Sequence, residues 1–248
     1  MTTVTGLFRY PVKSMQGLAV PALDLTADGI VGDRRWALID AVSGRLMSAK
    51  RWSALLMASA DDDGVTLPDG TWVPIAAPDA DGVLSAWLGR DVRLAEAGPD
   101  TEVSFEMTFD PPDDDAEYFS IPTPPGRFVD LAAAHLVTRP TLDRAAEAFA
   151  ELDWDIRRFR PNLVVDGDLE PFAEDAWIGA TLQIGTAALT VRKATGRCAM
   201  PLRAQPGLDR QASMYAALEE LHANDLGLYL DVVTPGRIEV GDEVTVTA

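Results

Sequence analysis

The sequence holds one cysteine, Cys198, and two histidines, His135 and His222. A single thiol excludes an internal disulfide. Three such side chains are also too few for a structural zinc site, which takes about four Cys or His ligands. Two histidines leave little room for a His-based catalytic triad. Structural or surface roles are expected for both, since His135 lies in the apolar stretch 131–137 and His222 near a helix end. No run approaches the roughly 18 apolar residues of a membrane span. Residues 1–20 include Arg9 and Lys13 and lack a continuous apolar core, so they do not read as a signal peptide. A cytoplasmic location is expected, with no membrane partner. Basic residues are scarce, at 21 Lys and Arg against 39 Asp and Glu, for a formal charge of −18. That balance argues against nucleic acid and anionic lipid surfaces. Any phosphate group would need a local cluster of cations or a helix N-terminus working against the global field. The chain also lacks the Gly-rich phosphate loop G-x-x-x-x-G-K-S/T, a G-x-G-x-x-G turn and a G-x-S-x-G elbow.

What is present reads as strands and turns. The 248 residues suffice for one large domain or two small ones, and 47% apolar content is that of a globular chain. Strands are expected at 4–10 and 35–40, the second followed by the turn Ser43-Gly44. Others at 65–67 and 71–75 flank Pro68-Asp69-Gly70, and another lies at 91–95. A short helix at 83–88 is entered from Asp81 and closed by Gly89. Prolines and aspartates crowd 98–125, with an edge strand at 103–109. A domain boundary is placed there, giving parts 1–114 and 115–248. The second part begins with an apolar stretch at 128–137. Thr141 reads as the N-cap of a helix to about Glu151, with Leu142, Ala145, Ala146 and Phe149 on one face. Strands follow at 162–165, 181–184 and 187–191, then a helix at 213–221 and closing strands at 228–232 and 237–246. The expected fold class is mainly β, β-barrels with a few helices.

Several segments concentrate residues suited to chemistry: Tyr10-Pro11-Val12-Lys13-Ser14, Gly32-Asp33-Arg34-Arg35-Trp36, Phe159-Arg160-Pro161-Asn162, Ala173-Glu174-Asp175-Ala176-Trp177, Arg197-Cys198 and Gly236–Asp242. In this order they resemble the MOSC family with its N-terminal β-barrel domain, the group that includes amidoxime-reducing proteins. The resemblance covers nearly the whole chain and implies a MOSC N-terminal β-barrel-like domain followed by a MOSC β-barrel domain. It implies a molybdenum cofactor (Mo-molybdopterin) with Cys198 as metal ligand and catalytic centre. A thiolate is the soft donor such a metal favours, and Arg197 and Arg192 are expected to favour the thiolate form. Lys13, Ser14 and Arg34 match positions that hold the cofactor's phosphate, and their ammonium, hydroxyl and guanidinium donors suit it. Arg160 and Asn162 match positions near the pterin, where an amide offers both donor and acceptor. Arg35 should point away from Arg34 on a strand. Glu174, Asp175 and Trp177 read as structural, and Asp231 lies only near the expected site. Pyridoxal phosphate binding is a further family-level attribute.

The implied function is an oxidoreductase reducing N-hydroxylated or related small molecules, with electrons from a separate donor protein. Two alternatives stand beside it: a carrier of persulfide sulfur for metal-cofactor maturation, and a barrel that has lost the cofactor. The last is motivated by the segment after Cys198, Ala199-Met200-Pro201-Leu202-Arg203-Ala204-Gln205-Pro206. It lacks the threonines often found there in the family, and Pro201 removes a backbone donor. Gly196 stands where amidoxime-reducing members carry serine.

Overall fold

The computed structural model describes residues 1–98, 101–108, 110–111, 113, 117–124 and 126–247. Its framework is set by two ten-residue strands, Ala187–Gly196 and Asp225–Thr234, whose inward residues are Leu, Val and Ala. They pair antiparallel at the centre of an eight-stranded sheet. Its order is Val244–Thr247, Thr181–Ile184, Ala187–Gly196, Asp225–Thr234, Ala134–Thr138, Leu163–Gly167, Thr2–Arg9 and Leu18–Ala19. One pair is parallel, Ala134–Thr138 with Leu163–Gly167. As parallel pairing demands, the connection contains a helix, here Arg139–Ala148. The sheet curls into a half-barrel, and its far strands meet: Val4 donates to the Asp242 carbonyl (2.9 Å) and Gly241 to that of Val4 (2.8 Å). Leu136, Leu163, Leu189 and Leu230 fill the interior.

A second core is built from the first half of the chain. Met15, Leu38, Leu55, Leu56, Val65 and Leu84 form it, together with Met200 from the second half. The halves also interlock through strands, since Thr2–Arg9 pairs with Leu163–Gly167 and Ala22–Thr26 with Gly236–Glu239. The boundary expected between Asp114 and Asp115 falls outside the described residues.

Three α-helices occur among the described residues. Helix α1 (Ala80–Leu88) is closed as expected by Gly89, which takes the left-handed φ of 61°. Helix α3 (Met214–His222) matches the expected span within a residue. Helix α2 (Arg139–Ala148) starts before Thr141, because Pro140 suits a first turn that needs no N–H. Thr141 therefore lies inside the helix. Its hydroxyl donates to Glu174 (2.9 Å) and accepts from the Phe172 N–H (2.7 Å). In the apolar stretch 128–137 a strand begins at Ala134 and runs to Thr138, and the closing strand expected at 237–246 is two strands, Gly236–Glu239 and Val244–Thr247. No helix among the described residues is long and apolar enough to cross a membrane.

Candidate functional site

All seven residues singled out from the sequence line one cleft. Lys13, Ser14 and Arg34 enter from the first half, and Arg160, Asn162, Arg197 and Cys198 from the second. The cleft holds about 110 Å³. Three of these residues, Ser14 (φ 68°), Arg34 (φ 47°) and Arg160 (φ 54°), have positive φ. That conformation costs an ordinary L-residue about 1–3 kcal/mol and persists where the surroundings over-determine it. Only six non-glycine residues among those described have it. Half of them therefore converge on one small volume.

The surroundings that hold these turns are visible. Tyr10 is buried, and two guanidiniums lie over its ring, Arg34 at 4.6 Å and Arg160 at 4.2 Å from the centroid. Its hydroxyl donates to the Pro161 carbonyl (3.0 Å). Burial, offset in part by those arginines, pushes its pKa up to about 12. Tyr10 thus stays neutral beside two like charges and gains cation–π attraction from both. Gly17 is needed for this placement, because a Cβ there would stand 2.5 Å from the Tyr10 ring. Asn162 does not present its amide to the cleft. Its Nδ2 donates to the Phe8 carbonyl (3.1 Å) and Asp33 (3.2 Å), and its Oδ1 accepts from the His135 N–H (3.2 Å) and Arg34 (3.3 Å). It ties strands together and orients Arg34. Ser14 Oγ accepts from the Ala49 N–H (3.0 Å).

Four cations line the cleft, Lys13, Arg34, Arg160 and Arg197, against one carboxylate, Asp130. Arg34 is paired to the buried Asp33 behind it. Among the described residues, no carboxylate pairs with Arg160 or Arg197. Arg160 donates to the Met15 carbonyl (2.7 Å). Arg197 donates to those of Phe159 (3.0 Å) and Leu226 (3.4 Å). A carbonyl satisfies the N–H and leaves the charge uncancelled. Burial lowers the pKa of Arg160 to about 10, which still leaves it charged at neutral pH. The cleft is therefore strongly positive inside a protein of charge −18.

Cys198 is half-buried at this cleft and packs against the core of the first half. The residues after it form a wedge. Met200 enters that core, Arg203 reaches the Lys50 carbonyl, and Gln205 accepts from Gln16 Nε2 (2.8 Å). The wedge is clamped by Arg158, which is fully buried and donates to the carbonyls of Pro201 (3.1 Å), Arg203 (3.3 Å) and Asp209 (2.9 Å). Gly196 has room around it: a Cβ would meet nothing nearer than Asp225 Oδ1 at 3.6 Å.

Other expectations change. Arg192 does not attend the thiol. It is exposed and held by Asp231 through Nε (2.6 Å), the geometry a carboxylate imposes on a guanidinium fork. His135 is buried, lines the cleft and lies 3.3 Å from Arg197 Nη1. Burial and the neighbouring Arg197 hold its pKa well below the usual imidazole range, so the ring is neutral. Gly227 permits this, since a Cβ there would come within 2.6 Å of His135 Nε2. His222 pairs with Asp175 (2.9 Å) and stacks on Phe172. Glu174 accepts from Thr138 and Thr141 (both 2.9 Å), and Trp177 lies in the sheet core, which agrees with structural roles. Arg35 turns outward to Glu96.

Sequence reasoning missed Asp130, Lys50, Thr195 and Tyr229. Asp130 bridges Lys13 and Lys50. Against a burial penalty, those two ammoniums hold its carboxyl far below the usual range. Thr195 lines the cleft at 2% exposure, and its Oγ1 has no hydrogen-bond partner among the described residues. Only Tyr10 and Asp33, inside the quoted motifs, carried a sequence signal.

Comparison with known proteins accords with this geometry. Residues 125–245 match the model of the MOSC domain and residues 1–115 that of the MOSC N-terminal beta barrel domain. The chain is 26% identical to the human mitochondrial amidoxime-reducing component 1, over 98% of this chain and 82% of that protein. It is also 26% identical to a molybdenum cofactor sulfurase of Danio rerio, over 92% of this chain, which spans about a third (32%) of that protein. Among solved structures, the YUAD protein of Bacillus subtilis matches 99% of this chain and 96% of its own, with a TM-score of 0.51 at 14% identity, a likeness of fold. The chain belongs to the MOSC family, with the MOSC N-terminal β-barrel domain preceding the MOSC domain.

Proposed function

We propose that the cleft binds a molybdenum cofactor with Cys198 as the metal ligand. On this reading the protein is an oxidoreductase for N-hydroxylated or related small molecules, supplied with electrons by a separate protein. The observation that carries this reading is the charge of the cleft, four lining cations to one carboxylate in a chain of −18. The family relatives named for amidoxime reduction and for cofactor sulfuration give the direction.

The residues present fit such a group. A thiolate is a soft, charged donor of the kind molybdenum takes. Cys198 lines the same cleft as Arg197 and Arg160. Lys13, Ser14 and Arg34 in the same cleft would receive a phosphate. Thr195 Oγ1 is a buried hydroxyl without a partner among the described residues, a group that costs free energy unless a ligand satisfies it. When bound, the cofactor supplies the two-electron redox chemistry. The protein's own part is positioning. Arg158 fixes the wedge that follows Cys198, Tyr10 packs against both Arg34 and Arg160, and neutral His135 can accept a hydrogen bond without adding charge.

The test is the metal and pterin content, by mass spectrometry, of protein made in a cofactor-competent host, beside Cys198→Ser. Molybdenum close to one per chain in the wild type and its loss in the variant are expected. Metal-free wild type overturns the reading. The sulfurase match favours a second reading, in which Cys198 carries a persulfide without turnover. A reducible adduct of roughly 32 Da, one sulfur atom, on metal-free protein would select it.

A further inference from the structure

Lys13 and Lys50 are both buried, and both ammoniums face the ring of Phe105, at 5.3 and 4.3 Å from its centroid. The ion pairs of both run to one group. Asp130 Oδ1 takes Lys13, and Oδ2 takes Lys50 at 2.8 Å. Lys13 donates in addition to the Phe128 carbonyl (2.7 Å). The carboxylate is the most accessible member of the trio, at 30% side-chain exposure against 6% for each lysine. The ammoniums thus form the floor and Asp130 the lid. Two cations share one anion, so the trio keeps a net positive charge out of water.

Asp130 sits in an irregular segment, 126–133, which the sheet does not hold. Val129, Leu131 and Ala132 of that segment line the cleft on one side and a wider trough of about 600 Å³ on the other. A carboxylate leaving the lysines therefore has space to enter. The cleft itself, at about 110 Å³, is small beside the roughly 300–1,000 Å³ usual for a bound organic ligand.

We propose that Asp130 is a resident counter-ion that fills the anion subsite over Lys13 and Lys50, and that a ligand's phosphate displaces it toward the trough. The inference rests on the proposed reading of the cleft as a phosphate-bearing cofactor's site. A phosphate dianion balances two ammoniums where a single carboxylate cannot, and it offers three acceptor oxygens. Without ligand, Asp130 spares the protein two buried and unpaired cations. It also discriminates, because a weakly held inorganic anion must compete with a tethered one.

Inorganic phosphate is the probe, titrated calorimetrically into the purified full chain at low ionic strength. Asp130→Asn keeps the side-chain shape and removes the competing charge. It should bind phosphate at least about tenfold tighter than wild type, equivalent to about 1.4 kcal/mol. Asp130→Glu should stay close to wild type. Equal affinity of wild type and Asp130→Asn overturns the proposal. Should Asp130→Asn fail to fold, hydrogen exchange on the wild type decides. Saturating phosphate should speed exchange across 126–133, where unchanged or slower exchange overturns it. Metal content tests the function independently. A protein that holds molybdenum while Asp130→Asn gains no phosphate affinity keeps that reading and refutes this one.

Discussion

The cleft beside Cys198 and the patch around Trp52 are both rich in arginine, yet they hold their charge differently. In the patch, Arg45 and Arg51 meet Glu106, and Arg90 meets Asp40 while lying 4.2 Å from the Trp52 ring. All three arginines are more than a third exposed. Solvent and carboxylates both attenuate their field. In the cleft, Arg160 and Arg197 are buried, donate to carbonyls and lie over aromatic rings. They are largely withdrawn from water, and among the described residues no carboxylate pairs with them. The lesson is that arginine content does not make an anion site. What makes one is the kind of acceptor, because a carbonyl fills the donor's valence and leaves its charge free to act.

The comparison breaks first if buried arginines prove dispensable. Arg158 is the strongest case, with no exposure and three carbonyl contacts. In Arg158→Met those carbonyls lose their donors at about 1–3 kcal/mol for each group left unsatisfied, so a loss of about 4 kcal/mol is expected. For a chain of this size that lowers Tm by about 8–16 °C. Calorimetric melting checks it, and a shift below a few degrees would remove the wedge's clamp from the account. Next comes Arg34→Met. It leaves Asp33 buried with neutral donors alone, the Tyr10 N–H (2.8 Å) and Asn162 Nδ2 (3.2 Å). Breaking a buried pair costs about 3–5 kcal/mol, and those remaining bonds place this case near 3. Urea unfolding measures it directly.

Acid sharpens the contrast further. His135 is neutral in the folded protein because burial and Arg197 depress its pKa. The unfolded chain takes up that proton near pH 6.5. Stability should therefore fall as pH drops below about 6.5, by up to about 1.4 kcal/mol per unit, until the folded form is itself protonated. His135→Gln, though less stable at pH 7, should show a flatter slope over that window. An identical slope would mean that His135 is not held neutral. Asp130 acts elsewhere on the scale. Its depressed pKa gives stability that is present above pH 4 and lost only in stronger acid.

Much of this site could be read in the sequence because its residues sit in short local motifs. Lys13-Ser14, Asp33-Arg34 and Arg160-Pro161-Asn162 each combine a turn conformation with the charged side chain it presents, so local chemistry and position travel together. Asp130 and Lys50 carried no such signal. They lie 80 residues apart and meet only through the fold, as Lys13 and Asp130 do across 117. The segment after Cys198 was legible only as a departure from the family pattern. Its role as a wedge depends on contacts with Lys50 and Gln16 in the other half of the chain. In α2 a local signal misled. Thr141 has the residue type of an N-cap, but Pro140 sets the helix start and Glu174 takes the hydroxyl.

The smallest expected effect is the one that separates the two regions. Arg90→Gln removes a cation from the Trp52 patch, where the side chain is 37% exposed and its partner Asp40 also accepts from the Ser43 N–H and hydroxyl. Asp40 is thus not left without donors. A half-exposed pair of this kind is worth less than about 1 kcal/mol. The variant should melt within about 2–4 °C of wild type and bind inorganic phosphate with unchanged affinity. Arg160→Gln, by contrast, removes a cation that no carboxylate among the described residues pairs with, so phosphate affinity should drop at modest cost in stability. Equal loss of phosphate binding in both variants would mean that the net charge of the molecule governs anion capture, and the distinction between carbonyl-held and carboxylate-held arginine would fail.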